Sequence, residues 1–470
     1  MLELIMTLSD TTTSAARPDA DPRGPRLRSA LGDLIVLPGD AEWDLARMPW
    51  NLAVDQRPVA VARPQTAEDV VEIVRAATAV GLRIAPQSTG HAAAALADTG
   101  LADTVIVSLA RLRGVTVDPV ARTARVLGGS HWNDVLEATA PHGLTAPHGS
   151  AGDVSVAGYS LSGGLSFYAR MHGLAVNFVR AVQLVTADGV LVRASAEENP
   201  DLFWAVRGGS GAFGVVVSLE IDLLPCADVY AGMLLWDAAH APEVARAWAA
   251  WTATAPESAT TTLRILNLPP LPELPPFLSG RSVVVIDGAV LETDETAMAA
   301  LAPLRELAPE IDTFARIPAA GLVAVHMDPP QPTPAVTAHA VLDELPDAAV
   351  EAFLRAGSDR GLFMTELRHV GGAAARPAAG GGAVSALRGQ FICHAVTMVP
   401  VPEAAAGADA SVRAAVAHFE PWHIDALALT FVDGGGADRR LGYGKAAGRL
   451  SELKRRFDPG AVFSAAQPVH

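Results

Sequence analysis

Apolar residues in the first half of the chain alternate between helical and strand-like spacing. In TAEDVVEIVRAATAVG, the apolar positions from Val70 to Ala77 recur at helical intervals. Thr66 precedes them and Asp69 follows three residues later, which predicts an N-cap with a capping box. Gly81 is expected to end this helix. Short strands are predicted at LRIAP and at Val105–Ala110.

Turn residues mark two hairpins in the same half. VTVDPVARTARVLGG alternates around Asp118-Pro119, and VRAVQLVTADGVLVRA has Asp188-Gly189 as a two-residue turn. Between them, Ser130 is expected to cap the helix of SHWNDVLEATAPHG, which ends at Gly143. Because helices and strands interleave, the pattern indicates an α+β or α/β domain.

The texture changes beyond Cys226. LNLPPLPELPPF and HMDPPQPTP are Pro-rich loops, and the segments between them are typical of antiparallel strands with covering helices. This predicts a second domain, and the low-complexity stretch Ala374–Ala386 is expected to form a surface loop or lid. The amphipathic stretch GRLSELKRRFDPGAVFS predicts a helix that ends at the turn Asp458–Gly460. Residues 1–25 include a polar, Pro-rich stretch and are expected to form a disordered tail.

Composition narrows the class of protein. The 470 residues are 50% hydrophobic and 18% charged, which supplies enough apolar side chains for two domain cores. The formal net charge of −16 argues against nucleic acid or an anionic membrane surface as a partner, and no apolar run is long enough to span a membrane. Cys226 and Cys393 are far apart and fit a reducing compartment. The start MLELIMTLSD lacks a secretory signal, so we expect a soluble, cytoplasmic protein.

Glycine-dense loops follow several of the predicted strands, at PQSTGH, GSAGDVSVAGYSLSGG and RGGSGAFG. Backbone N–H groups in such loops can bind a pyrophosphate where no side chain intrudes. No GxGxxG joins a strand to a helix, and GK[ST], GxSxG and HExxH are all missing from the sequence. Nicotinamide-dinucleotide, P-loop, hydrolase and zinc sites are therefore disfavoured, and a long, flat, anionic cofactor is favoured.

Six motifs in fixed order carry a family resemblance: RPVAVARPQTAEDVVEIVRAATAVGLRIAPQSTGH, ARVLGGSHWNDV, GDVSVAGYSLSGGLS, TADGVLVRAS, NPDLFWAVRGGSGAFGVV and RLSELKRRFDPGAVFS. The chain resembles the FAD-linked oxidoreductases of the vanillyl-alcohol-oxidase/p-cresol-methylhydroxylase (PCMH) superfamily, in its berberine-bridge-enzyme-like branch. The resemblance covers residues 43–225 and 425–466, and ELRHVGGA extends it into the middle of the chain. It implies a two-domain α+β fold of the PCMH type, in which residues 26–226 and 425–470 bind FAD. Residues 227–424 would form a substrate domain built on an antiparallel sheet covered by helices.

The resemblance also assigns residues to the cofactor. It implies that His91 is bonded to the 8α-methyl carbon of FAD, as a neutral imidazole nucleophile can be. Ala151 stands where many members carry a second, cysteinyl bond, so attachment through His91 only is expected. Val154 occupies the position that controls oxygen access, and a valine there resembles the oxidases. The other expected FAD contacts are Pro86, Gln87, Ser88, Thr89, Gly90, Gly149, Ser150, Asp153, Gly158, Tyr159, Ser162, Gly163, Gly164, Gly214, Val215 and Val216. A merely adjacent histidine, ordinary turn glycines and an ordinary strand valine are the structural alternatives.

The expected proton-abstracting apparatus departs from the family. Ala428 and Leu165 stand where related oxidases carry active-site tyrosines. The predicted catalytic residues are Tyr443, Glu366 and His369, the predicted substrate-binding residues are Arg368 and His394, and no metal site is expected. Glu366 and Arg368 are two apart and share one face of a strand, where Arg368 binds a substrate carboxylate or phenolate or the two form a structural salt bridge. His369 would then point the other way, into the core.

The resemblance implies an FAD-dependent oxidase. A small hydroxylated or amine-bearing organic substrate, a secondary metabolite or a sugar, would lose a hydride to the flavin, and O₂ would reoxidise the flavin to give H₂O₂. The protein would be a monomer or a homodimer. The alternative is a flavin-binding protein of this fold without redox turnover, which catalyses a non-redox cyclisation or carries a ligand, and the missing tyrosines favour it.

Overall fold

The computed structural model describes residues 21–270, 272, 278–432, 434 and 437–469. Residues 1–20 of the predicted tail lie outside this part of the chain. The predicted boundary at residue 25 is wrong, because a helix begins at Arg23. The described α-helices are α1 Arg23–Leu31, α2 Trp43–Arg47, α3 Ala67–Ala79, α4 Ala93–Ala97, α5 Trp132–Thr139, α6 Val156–Leu161, α7 Ala169–His172, α8 Pro200–Gly209, α9 Ala241–Thr252, α10 Asp294–Arg305, α11 Asp347–Gly357, α12 Ala405–Ala417, α13 Arg440–Tyr443 and α14 Ala447–Phe457. Among them, none has the length and hydropathy of a membrane-spanning helix.

A small mixed sheet lies at the N-terminal end of the described chain. Its strands, in spatial order, are β1 Ile35–Val36, β2 Ala60–Ala62, β4 Thr104–Ser108 and β3 Arg83–Gln87. β4 is parallel to both neighbours, and α3 packs its apolar face on the same core. The Thr66 hydroxyl accepts a hydrogen bond from the Asp69 N–H, and the Asp69 carboxylate accepts one from the Thr66 N–H. The predicted capping box of α3 is therefore confirmed.

A second, antiparallel sheet follows. Its spatial order is β5 Val115–Asp118, β6 Thr123–Leu127, β9 Val215–Asp222, β7 Val179–Val185 and β8 Leu191–Ser195. Both predicted hairpins are present as β5–β6 and β7–β8. The β7–β8 connection spans residues 186–190 rather than two residues. The Thr186 N–H donates to the Val190 carbonyl across this connection, and Gly189, at φ 71°, lies inside the turn.

The predicted cap of α5 is wrong by one residue. The Ser130 hydroxyl donates to the Gly114 carbonyl at 3.1 Å and accepts from the Gly114 N–H at 2.9 Å, so it is engaged before the helix starts. His131 takes the N-cap position, and its N–H donates to the Asp134 carboxylate at 2.9 Å. The loop that precedes β5 supplies both partners of Ser130, and the local sequence does not reveal that contact.

The largest described sheet lies in the middle of the chain and is antiparallel throughout. Its spatial order is β13 Ile311–Asp312, β10 Asp228–Asp237, β12 Ser282–Val290, β11 Ala259–Asn267, β16 Met364–His369, β17 Phe391–Met398 and β15 Ala335–Leu342, and β14 Ala315–Pro318 also pairs with β10. One face, which carries Leu263, Leu367 and Cys393, packs on α9, α10 and α11. The predicted α+β class, with an antiparallel sheet covered by helices, is confirmed.

Two later segments return to the first half of the chain. After α14, the Val462 carbonyl accepts from the Ile84 N–H and the Ser464 N–H donates to the Ile84 carbonyl, both at 2.8 Å, so the C-terminal segment lies beside β3. The low-complexity stretch Ala374–Ala386 is only partly a surface loop. Its residues 383 and 384 are buried, and their N–H groups donate to backbone carbonyls of α8 at 3.0 Å.

Candidate functional site

A cavity of about 180 Å³ opens between the first two sheets and the C-terminal segment. Several predicted FAD contacts line it, namely Pro86, Gln87, Ser88, Thr89, Gly90, His91, Val154, Gly158, Tyr159, Ser162, Gly214 and Val216. The structure thus gathers three sequence-distant loops at one cavity.

The turn after β3 explains the PQSTGH motif. Gly90 has φ 86°, and a Cβ at this position would lie 2.7 Å from the Pro49 Cβ. The Thr89 carbonyl accepts from the Trp50 N–H at 3.0 Å. The positive φ and the short distance to Pro49 both require glycine at position 90. The close approach of the two segments brings Trp50 against His91, the next residue of the turn.

His91 is held on one face and left unpaired at one nitrogen. Its ring stacks on the Trp50 indole with centroids 4.2 Å apart and planes 18° from parallel. The Thr89 hydroxyl lies 2.9 Å from Nδ1, whereas Nε2 is buried without a hydrogen-bond partner among the described residues. Burial lowers the pKa of His91 and the Asp153 charge raises it. Burial has the larger effect, so the pKa falls to about 4. The imidazole is therefore neutral, the state in which its nitrogen is a nucleophile.

Tyr159 is the aromatic wall of the cavity. A Cβ on Gly149 would lie 3.1 Å from its ring and one on Gly164 would lie 2.6 Å from it, so two predicted FAD residues make room for this side chain. The hydroxyl is buried and has no hydrogen-bond partner among the described residues. Burial raises the pKa of Tyr159, which therefore stays protonated and can donate a hydrogen bond into the cavity.

The remaining predicted FAD contacts lie outside the cavity lining. Asp153 is beside His91, with its Oδ1 3.7 Å from Nε2. The Ser150 hydroxyl donates to Asp328 at 2.6 Å. Gly163, at φ 113°, faces Val384, and the Val215 side chain packs in the core of the first sheet. Of these residues, Asp153 lies beside His91 and Ser150 is bonded to Asp328, whereas Gly163 and Val215 contact core residues.

A buried charged cluster lies at the face of the large sheet that is opposite α9, α10 and α11. It is formed by Arg264, Asp287, His326, Glu366 and Arg368. The Arg368 Nε donates to Glu366 at 2.6 Å, and Arg264 pairs with Asp287. Between the carboxylates lies His326, with Nδ1 3.1 Å from Asp287 and Nε2 3.6 Å from Glu366. All five side chains are less than a tenth exposed, so the cluster is a desolvated ion-pair network.

The charges of the cluster act on one another. Burial alone would raise the pKa of Glu366, but Arg368, His326 and His394 hold it well below its usual range. Burial and Arg264 lower the pKa of His326, and the carboxylates of Asp287 and Asp328 outweigh them and raise it to about 9. Glu366 is therefore ionised and His326 protonated at neutral pH.

The cluster adjoins the cavity. Leu429 and Thr430 line the cavity, and the next residue, Phe431, has its ring 5.2 Å from the Arg368 guanidinium and 5.2 Å from the His394 ring. On the other side, the Arg368 charge acts on the Tyr159 hydroxyl. Glu366, Arg368 and His394 thus meet where the cavity wall meets the large sheet. The spacing of Glu366 and Arg368 predicts that these two share a strand face, whereas His394 joins them from β17, opposite Glu366.

Two predicted catalytic residues lie elsewhere. His369 points to the helix-covered face of the sheet, where it stacks on Phe391 and accepts a hydrogen bond from Arg170 at 2.7 Å. The predicted orientation of His369 is correct, and it takes this side chain away from Glu366. The Tyr443 hydroxyl points to the carbonyl of the cavity residue Gln467 at 3.5 Å, so Tyr443 lies behind the wall.

Trp50, Asp328 and three members of the charged cluster do not appear among the predicted site residues. Arg264 and Asp287 had a signal, because each is the one charge inside an otherwise uncharged strand, TTTLRILN and VVVIDGAV. Trp50 and His326 had none, since both come from loops whose contacts form only in the folded chain. No group of three or more metal-ligating side chains occurs among the described residues.

Comparisons with known proteins bear on this site. Residues 58–195 match a protein family described as "FAD binding domain". This chain contains an FAD-binding domain. The domain includes β2 to β8, and with them the turn of His91 and the loop of Val154 and Gly158. The cavity-lining loop of Gly211 and Gly214 follows the matched residues. The cavity therefore lies between the FAD-binding domain and the C-terminal segment, and the charged cluster of the large sheet adjoins it through Phe431.

Curated relatives match the same half of the chain. The xylooligosaccharide oxidase of Thermothelomyces thermophilus is 36% identical over 187 residues, which are 40% of this chain and 38% of the relative. The (R)-6-hydroxynicotine oxidase of Paenarthrobacter nicotinovorans is 34% identical over 206 residues, which are 43% of this chain and 44% of the relative. The alignments thus cover less than half of each relative's length.

Solved structures extend the likeness to the whole fold. The berberine-bridge-enzyme-like protein 1 of Physcomitrella patens has a TM-score of 0.83 at 21% identity and covers 96% of this chain and 99% of its own. The glucooligosaccharide oxidase of Acremonium strictum has a TM-score of 0.80 at 21% identity, covers 95% of this chain and 99% of its own, and is described with a 6-S-cysteinyl, 8α-N1-histidyl FAD. The predicted resemblance to FAD-linked oxidoreductases is confirmed by the curated relatives in the first half of the chain, and the fold is similar to that of a berberine-bridge-enzyme-like protein.

Proposed function

We propose that this protein is an FAD-dependent oxidase that removes a hydride from a small hydroxylated or amine-bearing organic substrate. The observation that carries the proposal is the meeting of two features at one place. A cavity of the FAD-binding domain, with a neutral His91 at its wall, adjoins a buried cluster that presents an ionised Glu366. The relatives named as oxidases of sugars and of hydroxynicotine support the reaction class.

The residues present fit FAD. His91 lines the cavity, and the buried Tyr159 hydroxyl is a polar atom at the cavity without a partner among the described residues. The turn of Gly90, together with Gly158 and Gly214, offers backbone groups to a pyrophosphate. When bound, FAD supplies a two-electron acceptor for the hydride.

We propose attachment of FAD through His91 alone. Ala151 stands at the position of the second bond, and the two cysteines are elsewhere. Cys393 is buried on the helix-covered face of the large sheet, and the Cys226 Sγ lies 3.2 Å from the Asp228 carbonyl. Neither cysteine lines the cavity, so a single histidyl bond follows.

The sheet side of the cavity supplies the groups that act on the substrate. Glu366 is ionised, so it can accept a proton from a substrate hydroxyl or ammonium group. Arg368 attracts an anionic group of the substrate, and its ion pair with Glu366 fixes both side chains. The Tyr159 hydroxyl can donate a hydrogen bond. Val154 lines the cavity, where a small side chain leaves O₂ access to bound FAD.

The experiment is an activity screen with a spectroscopic control. We expect the purified protein to be yellow and to keep its flavin after acid precipitation, and to release H₂O₂ with a subset of alcohols, sugars and phenolic amines. His91→Ala should release its flavin into the acid supernatant, and Glu366→Gln should keep the flavin and lose at least tenfold in turnover. A colourless protein with no recoverable nucleotide would contradict the proposal.

A second function has one observation in its favour. Leu165 and Ala428, at the positions where related oxidases carry tyrosines, are both apolar and buried. A flavin-binding protein without redox turnover, which carries a ligand or catalyses a non-redox cyclisation, would have no use for those tyrosines. Anaerobic addition of a substrate separates the two functions, because only an oxidase bleaches the visible flavin band.

A further inference from the structure

Trp50 and Asp153 form a clamp around His91, the residue to which we propose FAD is bonded. We propose that this clamp orients the His91 imidazole for attachment, with Asp153 selecting the attaching nitrogen and Trp50 holding Asp153 in place. The inference rests on the proposed histidyl attachment. It adds two positioning residues from separate segments of the chain.

The geometry of the clamp is closed on three sides. The Trp50 indole covers one face of the imidazole at 4.2 Å, and its Nε1–H donates to the Asp153 Oδ2 at 2.6 Å. The other carboxylate oxygen, Oδ1, faces the His91 Nε2 at 3.7 Å. Thr89 closes the third side at Nδ1. One tryptophan therefore fixes both the plane of the ring and the carboxylate beside it.

The charge of Asp153 decides which nitrogen carries the proton. A carboxylate repels a lone pair and attracts an N–H, so Asp153 favours the neutral tautomer with its proton on Nε2. The distance of 3.7 Å is longer than a hydrogen bond, which fits the unpaired state of this buried atom. Nδ1 then keeps its lone pair and accepts from the Thr89 hydroxyl, and it becomes the nucleophile when that hydroxyl turns away.

The attachment step balances with dioxygen as the oxidant. The lone pair of Nδ1 forms the bond to the 8α-carbon, and the 8α-methyl group and Nε2 each lose a proton. The flavin takes up two electrons, and O₂ accepts these electrons and the two protons as H₂O₂. Until Nε2 loses its proton, the imidazole is a cation, which the Asp153 carboxylate and the stacked indole both stabilise.

The structure explains why this arrangement tolerates little change. Gly90 keeps Trp50 against the turn, because a Cβ there would collide with Pro49. The loop before β15 fixes the same segment from the other side, since the Thr333 N–H donates to the Trp50 carbonyl at 3.1 Å and the Asn51 side-chain amide donates to the Ala335 carbonyl at 2.9 Å. The clamp is thus tied into both halves of the molecule.

The test measures attachment separately from binding. For each variant, acid-releasable flavin reports bound FAD, and flavin fluorescence of the denatured polypeptide reports bonded FAD as a function of time under air. Trp50→Phe keeps a stacked ring and loses the N–H donor, and Asp153→Asn keeps an acceptor for that donor and loses the charge. We expect both to bind FAD and to form the bond at least tenfold more slowly than wild type.

Two controls make the result specific. Trp204→Phe changes a tryptophan that packs under Arg449 outside the cavity lining and should leave the rate unchanged. Asp153→Glu restores the carboxylate and should recover part of the rate, which a purely structural role would not allow. If both Trp50→Phe and Asp153→Asn form the bond to FAD at the wild-type rate, the clamp is overturned and the proposed histidyl attachment still stands. A wild-type protein that releases all its flavin into acid contradicts the histidyl attachment itself, and the clamp with it.

Discussion

His326 is a buried histidine whose replacement should change how stability depends on pH. Burial and the Arg264 charge lower its pKa, but the carboxylates of Asp287 and Asp328 raise it from 6.5 to about 9. The unfolded chain has no such cluster, so folding favours the protonated ring. The difference between the two pKa values corresponds to about 3 kcal/mol of stability.

The direction of the effect follows from the higher pKa of the folded state. The stabilisation is complete below about pH 6.5, the unfolded pKa, and is lost as pH rises through about 9. His326→Gln keeps a polar side chain of similar size that does not titrate. We expect the difference in the free energy of unfolding between wild type and variant to be constant near pH 6 and to shrink by about 3 kcal/mol towards pH 9.5. Urea titrations followed by tryptophan fluorescence measure it.

His339→Gln is the matched control. His339 is a half-buried histidine on β15, and burial and the neighbouring His394 lower its pKa to about 3. It is neutral in both the folded and the unfolded state above about pH 7, so its replacement should cost the same at every pH in that range. If the difference in the free energy of unfolding between wild type and His326→Gln does not change from pH 6 to 9.5, the assigned protonation of His326 is refuted.

Three further changes test the packing of the molecule. Arg170→Met removes the guanidinium whose Nε donates to the Ala259 carbonyl at 2.8 Å and which also bonds to His369, and it should cost about 3 kcal/mol in the free energy of unfolding, read as a lower Tm. Gly129→Ala should cost at least as much in the same assay, because its Cβ would overlap the Leu109 carbonyl oxygen. In contrast, Gly448→Ala in α14 meets nothing within 4 Å and should stabilise by about 0.4–1 kcal/mol.

Local features of the fold were predictable because their causes are local. The Thr66–Asp69 capping box, the hairpins and the helix before Asp458 each depend on residues within a few positions of one another. Ser130 shows where this reasoning ends. Its partners are on Gly114, sixteen residues away, and a competing contact at that distance leaves no trace in the local pattern.

The site divides in the same way. Strand alternation was enough to place Glu366 beside Arg368 and to turn His369 to the opposite face. It could not supply His326, because this residue reaches the cluster from a loop and pairs with residues on two strands. The family resemblance placed His91 and Asp153 in the cofactor site, but the stacking of Trp50 on His91 depends on chain packing around Gly90.

Because Leu165 and Ala428 replace the two tyrosines of related oxidases, the proposed reaction needs another residue to accept the substrate proton. Leu165 and Ala428 lie in one apolar core cluster, so that side of the site offers no titratable side chain at these positions. The sheet face opposite presents Glu366, Arg368 and His326 as an ionised network in place before any substrate arrives. Breaking a buried ion pair leaves an uncompensated charge that costs several kcal/mol, so the network resists rearrangement. Under the proposed function, we therefore expect the substrate to meet its base on the large sheet, with its hydroxyl or ammonium group directed towards Glu366 rather than towards Leu165 and Ala428.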